Sequence, residues 1–330
     1  MASLLEVQNL RVAYSSHAAI CPALVDVSFQ LAAGEILGVL GESGSGKSTL
    51  VAALLKLLPG NGQILDGKVL LEGQNILEMP AEELRRIRGG RIGLINQEPS
   101  SALHPAIRTG RQISNVLAAH FSLDRAALRE KTGALLDSLF PTGSERISRS
   151  YPHELSGGQR QRILIAQAIA SHPALVLADE PTASLDPITQ REILVLFRNL
   201  QQQLGLAMIF ITHNPALLVN FAHRILVLYA GRVAEIGPAS QVLSSPQHPY
   251  TTALLQCLPG RGERVESAPK GRLLAIPGDP PDAAASAKGC PFEPRCEFRM
   301  AICRSEDPQP VLTGEGRAVS CFKFHAEQTP

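Results

Sequence analysis

Gly41-Glu42-Ser43-Gly44-Ser45-Gly46-Lys47-Ser48-Thr49 is the stretch on which the reading of this chain turns. Before it, Glu35 to Leu40 (EILGVL) reads as a short buried strand ending at a glycine. After it, Ser48 to Leu58 (STLVAALLKLL) reads as a helix, with good helix formers and apolar residues three and four apart. Strand, glycine-rich loop and helix in that order are the context in which G-x-x-x-x-G-K-[ST] holds phosphate. Gly41, Gly44 and Gly46 free the backbone to turn its N–H groups on an anion, with Ser43 and Thr49 in the same run. Lys47 offers a cation to terminal phosphates and Ser48 a hydroxyl to Mg²⁺, while the helix start adds its positive dipole end.

Further along, Ala174 to Ala178 (ALVLA) reads as a second buried strand and runs into Asp179-Glu180. Glu-Pro-Thr by itself also suits a helix start. After a phosphate loop, however, a carboxylate at a strand end holds Mg²⁺ or its waters, which assigns Asp179. Glu180, one residue on, is placed to polarise an attacking water, and a positioned base contributes roughly 10²–10⁴-fold. Leu155-Ser156-Gly157-Gly158-Gln159 follows the loop by about 110 residues. Its serine and glycine backbone can donate to phosphate, with the helix from Arg160 to Ala170 aiming its N-terminus there. Read alone, the same letters also describe a capped helix start.

Together these motifs resemble the ATP-binding subunits of ABC transporters, and residues 155–159 match that family's signature motif letter for letter. The resemblance implies ATP and Mg²⁺ as ligands, with the signature segment reaching across a dimer to the γ-phosphate held by the partner. It implies Gln97, after the strand Arg91 to Ile95, as the residue that senses Mg²⁺ and attacking water and contacts membrane subunits. By the same resemblance Ser184-Leu185-Asp186 couples the two ATP sites, His213 after Ala207 to Thr212 (AMIFIT) contacts the γ-phosphate, and Tyr14 stacks on adenine. Outside the family context a lone histidine or tyrosine at a strand end reads as packing. No catalytic position departs from the family's pattern.

The expected fold is therefore α/β: a largely parallel sheet with helices, an antiparallel β subdomain, a helical subdomain and a small cysteine-bearing extension. Leu4 to Val12 alternates like a strand, and Ile64-Leu65-Asp66-Gly67-Lys68-Val69 carries an Asp-Gly hairpin signal. Residues from about 98 to 152 look mainly helical, as in Arg111 to His120 and Asp124 to Leu139. Strands and helices alternate again from Leu175 to Val233. The division read from sequence is a nucleotide-binding domain over 1–240 and an extension over 241–330, with 12 of the 24 prolines from Pro246 onward and helical periodicity fading after Leu258.

A formal charge of +1 gives bulk electrostatics no reason to bind nucleic acid. No apolar run nears the roughly 20 residues of a spanning helix, and MASLLEVQNL lacks the basic region and apolar core of a signal peptide. Six cysteines in such a chain point to free thiols or metal, not to a disulfide framework. Cys290, Cys296, Cys303 and Cys321 are separated by five, six and seventeen residues. Four thiols suit zinc or an iron–sulfur cluster, although these spacings fit neither zinc-finger pairs nor the common ferredoxin runs. Buried free thiols are the plain alternative. Cys21 and Cys257 fall outside the set.

Ser245-Pro246-Gln247-His248-Pro249-Tyr250-Thr251, Glu98-Pro99-Ser100-Ser101 with His104-Pro105, and Ile276-Pro277-Gly278 resemble one branch of the family, the oligopeptide, dipeptide and nickel importer ATPases. This resemblance spans nearly the whole chain and implies a [4Fe–4S] cluster on the four late cysteines. It implies an energy-coupling ATPase on the cytoplasmic face of the inner or plasma membrane, bound peripherally to two transmembrane permease subunits. A second ABC ATPase subunit, more often a different chain, and an extracytoplasmic solute-binding protein complete the expected set. The accessory ATPase of the carbon–phosphorus lyase system is also similar, but the long cysteine-bearing tail favours the importer. Translation-factor and DNA-repair members usually carry two cassettes per chain, against one here.

Overall fold

The computed structural model describes residues 3–15, 20–257, 275–279 and 288–325. In chain order its elements begin with strands β1 (Ser3–Ser15), β2 (Ile20–Ala32) and β3 (Ile36–Leu40), then helix α1 (Lys47–Leu54). Strands β4 (Gly62–Leu71) and β5 (Gln74–Asn75), helix α2 (Ala81–Gly90) and strand β6 (Ile92–Ile95) follow. The helices α3 (Pro99–Ala102), α4 (Thr109–His120), α5 (Arg125–Leu139), α6 (Ser144–Arg149) and α7 (Gly157–Ile169) come next without an intervening strand. Then come β7 (Leu175–Asp179), α8 (Pro187–Leu204), β8 (Ala207–Thr212), β9 (Arg224–Tyr229) and β10 (Arg232–Pro238). The C-terminal part contributes α9 (Ala239–Ser244), α10 (Pro249–Gln256), β11 (Val311–Gly314) and β12 (Arg317–Val319). The fold is α/β, and the chain divides into two compact units of discontinuous sequence.

One unit takes Glu78–Ile211 together with Met1–Leu4 and Ala32–Glu35. Its strands β6, β7 and β8 are parallel neighbours, with Ile92 opposite Leu175 and Leu175 opposite Ala207. Every residue of AMIFIT is buried, which is what a parallel strand covered on both faces requires. Helix α7 lies close on β6 because Gly93 has no side chain; a Cβ there would stand 2.2 Å from the Ala168 carbonyl. Helix α8 buries Ile193, Phe197 and Leu200 along one stripe, and Phe197 meets Phe210 of β8 edge-on at 5.9 Å between ring centres. The stretch after β6 is helical as expected. Gln112, buried in α4, ties down its entry loop by accepting from His104 N–H at 3.0 Å and donating to the His104 and Ile107 carbonyls at 2.9 and 2.7 Å.

The other unit takes Leu5–Leu31, Ile36–Leu77 and Thr212–Pro330. It contains an antiparallel sheet of order β2-β1-β4-β5 and a second run of order β11-β12-β10-β9-β3. Only β3 and β9 are parallel in that run, with Val39 opposite Leu226; β9, β10, β12 and β11 pair antiparallel. The expected Asp66-Gly67 hairpin turn is not one. Both residues lie inside the continuous strand β4, where Gly67 takes φ 103 at an irregularity in the β1–β4 register. A Cβ on Gly67 would stand 2.6 Å from the Leu10 backbone, so the glycine answers to a close strand approach rather than to a reversal. The hairpin between β4 and β5 is made instead by Glu72-Gly73, both at positive φ.

The tail adds structure that its proline content hid. Its β11–β12 hairpin continues the sheet beyond β10, with Ile236 opposite Ala318. Glu235 of β10 is fully buried, and Arg317 of β12 donates to its carboxylate at 2.6 Å. The same carboxylate accepts the N–H groups of Gln247 and His248, the latter at 2.9 Å, so α10 and the hairpin share one buried anchor. The fading of helical periodicity after Leu258 lies outside the described residues.

Candidate functional site

The phosphate loop sits between β3, all five of whose residues are buried, and α1. Gly46 takes φ 104 as the residue before the helix, and no side chain caps α1 or places an acid in its first turn. A helix start of this kind can offer its first N–H groups to an external anion. Gly44, at φ 78, has open space where a Cβ would be, whereas a Cβ on Gly41 would stand 2.3 Å from the Leu228 carbonyl. Gly41 is thus a glycine for packing and Gly44 for conformation. Lys47 is buried and braces its ammonium on the Gly41 and Glu42 carbonyls at 2.9 and 2.8 Å. Ser43 and Ser48 are exposed. The hydroxyls of Tyr14 and Thr49 are 3.2 Å apart, which ties the end of β1 to the start of α1. His213 is exposed just after β8. Tyr14, the loop and His213 all belong to the unit that contains the tail.

Gln97, the signature segment, Asp179, Glu180, Ser184 and Asp186 belong to the other unit. Gln97 is exposed in the turn after β6. Asp179 closes β7, and Glu180 follows at φ 45, a left-handed conformation rare outside glycine, with its N–H donating to Ile211 O at 3.1 Å. Leu155 is buried and Ser156 caps α7 in a reciprocal box: Gln159 N–H donates to Ser156 Oγ at 3.3 Å, and Ser156 N–H donates to Gln159 Oε1 at 3.1 Å. The capped-start reading of these letters is therefore true of the local structure. It leaves Gly157 exposed at the helix start. A Cβ on Gly158 would come 2.7 Å from Thr189 Cγ2, so the segment packs tightly on the first turn of α8. Ser184 is exposed, and Asp186 caps α8, accepting from Ile188 and Thr189 N–H at 3.1 and 3.0 Å and from the Thr189 hydroxyl at 2.6 Å. Those bonds, the hydroxyl first, hold its carboxyl below the usual range.

In the tail, Cys290, Cys296, Cys303 and Cys321 line one cavity of about 20 Å³, with Phe292 among its other walls. The Cys290 N–H donates to the Cys303 carbonyl at 2.8 Å, an approach that Gly289 at φ 100 makes room for. Burial pushes the Cys290 thiol up to about 11 and raises those of Cys296 and Cys321. The chemistry of the four donors suits a soft metal. Among the described residues, however, no group of three His, Cys, Asp or Glu side chains is close enough to hold a metal ion. The cavity has room for about one water, so the four residues fit as donors and not as a preformed cage. Cys21 and Cys257 are free and half-buried.

Glu42 was not singled out by the sequence, since the second position of the loop motif is open to any residue. In the fold its N–H donates to the Tyr250 hydroxyl at 2.8 Å and its carboxylate is gripped by Arg295. No local signal pairs residues this distant in sequence.

Residues 24–183 match the ABC transporter family, and residues 234–303 match the oligopeptide/dipeptide transporter C-terminal region. The chain is 40% identical over 321 residues to the oligopeptide transport ATP-binding protein OppD of Escherichia coli, covering 97% of this chain and 93% of that protein. It is 41% identical over 321 residues to a putative peptide import ATP-binding protein of Brucella abortus, covering 97% and 95%. Among solved structures it is similar to the dimeric ATP-binding cassette MJ0796 in a post-hydrolysis state bound to ADP and Pi. That likeness has a TM-score of 0.64 at 28% identity over 71% of this chain and 98% of that one. It is also similar to cbiO1 of Clostridium perfringens, part of the ABC transporter complex cbiONQ, with a TM-score of 0.65 at 26% identity over 77% and 96%.

Proposed function

This chain belongs to the ABC transporter family, in its oligopeptide and dipeptide branch, and on that premise we propose that it is the ATP-hydrolysing, energy-coupling subunit of an importer for peptides or related small solutes. The observation that carries the reading is the union in one chain of an ABC ATPase region with the branch's own C-terminal region. The nucleotide-binding part is taken as 1–240 and the extension as 241–330.

In this reading Gly41, Ser43, Gly44, Gly46, Lys47, Ser48 and Thr49 hold the phosphates of ATP, and Tyr14 packs on its adenine. Ser48, Asp179 and Gln97 would hold Mg²⁺, which would supply charge neutralisation at the phosphates. Glu180 polarises the attacking water as its base, His213 contacts the γ-phosphate, and Gln97 senses Mg²⁺ and the attacking water and contacts the membrane subunits. Leu155 to Gln159 of a partner ATPase close the site, with Ser184 and Asp186 coupling the two sites. Chemistry of this kind is positioning and charge stabilisation, so the closed dimer is the active form.

The partners in this reading are two transmembrane permeases, a second ABC ATPase that makes a heterodimer, and an extracytoplasmic solute-binding protein. The chain is then peripheral, at the cytoplasmic face of the membrane. No helix among the described residues is long and apolar enough to cross a membrane. In this reading the four late cysteines would be the ligands of a [4Fe–4S] cluster that staples the tail; all four line one cavity, and their thiols would have to rearrange around the cluster to hold it. Anaerobically purified protein should then contain iron and acid-labile sulfide in equal amounts. Zinc in their place would keep the staple and discard the cluster, and no metal at all would discard both.

The function is tested by purifying the tagged chain from its native cell in mild detergent and identifying what it retains by mass spectrometry. Two multi-spanning permeases and a second ATPase are expected. Soluble enzyme subunits without a permease would overturn transport.

A further inference from the structure

Two segments of the C-terminal half that ATP chemistry does not use meet at one residue of the phosphate loop, and a third braces one of them. Tyr250, from His248-Pro249-Tyr250-Thr251, accepts the Glu42 N–H on its hydroxyl at 2.8 Å. Arg295, from Pro294-Arg295-Cys296, lays a fork on the Glu42 carboxylate, Nη1 to Oε2 at 2.8 Å and Nη2 to Oε1 at 3.2 Å. Ile276-Pro277-Gly278 takes the back of the guanidinium, with Arg295 Nε donating to the Pro277 carbonyl at 3.0 Å. Nη1 also lies 3.3 Å from the Tyr229 hydroxyl, and the guanidinium carbon is about 6 Å from the ring centres of Tyr229 and Phe292. Tyr250 is fully buried, the Arg295 side chain is 5% exposed and that of Glu42 is 25% exposed.

An exposed ion pair would carry little meaning. This one is a two-pronged bond to a nearly buried arginine whose other hydrogen bonds and ring contacts among the described residues come from the tail and β9, a geometry that lysine cannot reproduce. Glu42 is also one of the two residues whose carbonyls brace the Lys47 ammonium, with Gly41 the other. The tail therefore holds, through side chain and N–H at once, the point against which the phosphate-binding lysine is set.

We infer that Arg295 and Tyr250 are positioning residues for the ATP site: the C-terminal extension keeps the phosphate loop in its binding shape through Glu42, and affinity for ATP depends on that grip. The inference rests on the reading of residues 41–49 as the ATP site. It gives the Ile-Pro-Gly, Pro-Tyr-Thr and Arg-Cys segments one common task.

The experiment is a titration of the full-length chain with a fluorescent ATP analogue and Mg²⁺, alongside steady-state ATPase kinetics. It compares wild type with Arg295→Gln, Glu42→Gln and the double variant. Each single change should raise Kd about tenfold, the double should be no worse than the worse single, and the loss should fall on KM for ATP rather than on kcat. Arg295→Lys should stay weak, because it keeps the charge and loses the fork. Single effects that multiply in the double, or an Arg295→Gln Kd within twofold of wild type, would overturn the inference. If Arg295→Gln does not fold, Tyr250→Phe with Glu42→Gln decides: a Kd unchanged in both ends the proposal, and a rise of severalfold in both supports it. Wild type that binds no ATP would instead remove the ATP-site reading, and the inference with it.

Discussion

Glu180 stands at φ 45 directly after a buried strand, a conformation that an L-residue holds only when its surroundings impose it. The strand end aims the backbone, and the N–H bond to the Ile211 carbonyl keeps it there. If Glu180 is the base, Glu180→Gln should retain ATP binding and lose roughly 10²–10⁴-fold in turnover, measured as kcat beside nucleotide affinity. Near-normal hydrolysis would move the base elsewhere. At this scale the sequence was highly legible, because phosphate chemistry confines residue types to fixed offsets along a strand–loop–helix unit. Asp186 adds what its letters did not show: its carboxylate caps α8.

At the scale of elements, the tail is held by polar groups buried among strands. Arg317 and Glu235 are 7% and 0% exposed and 2.6 Å apart. Removing one partner leaves a buried charge, which costs about 3–5 kcal/mol, whereas replacing both by apolar groups of similar volume is far milder. Arg317→Met should therefore destabilise the protein by about that amount in urea unfolding. Glu235→Leu added to it should recover only part of the loss, because it removes the unpaired charge but leaves the Gln247 and His248 N–H groups without their acceptor. His248, buried beside them, accepts the Tyr250 N–H at 3.0 Å. Burial lowers its pKa from 6.5 to about 4, against a smaller opposing bond with the Ser320 backbone. Above pH 6.5 the ring is neutral folded or unfolded, and its contribution is fully present. Between 6.5 and about 4 only the unfolded chain gains the proton, so stability falls with pH by up to roughly 3 kcal/mol. His248→Gln should flatten that limb of the stability–pH curve; an unchanged slope would assign it to other groups. Sequence placed β3, β7 and β8 within a residue, since continuous apolar runs are what doubly covered strands need. It missed β11 and β12, short strands in a proline-rich stretch whose pairing partner lies far back in the chain.

For the whole molecule, the proposed reading has the signature segment serve a partner's ATP, which leaves the site incomplete in one chain. ATPase activity per chain should then rise with protein concentration in dilute solution, followed by phosphate release, and a flat dependence would place both halves of the site in one copy. What the sequence by itself determined is the family, the α/β class and the motif residues. Each of these rests on local patterns: a loop, a cap, a strand end, an apolar period. What only the tertiary structure decided is which distant residues serve those motifs. Glu42 with Arg295 and Tyr250, Glu235 with Arg317, and Gly67 under the β1 backbone are all contacts between segments remote in sequence. No periodicity records such pairs, because they form from the register and burial of whole elements packed together.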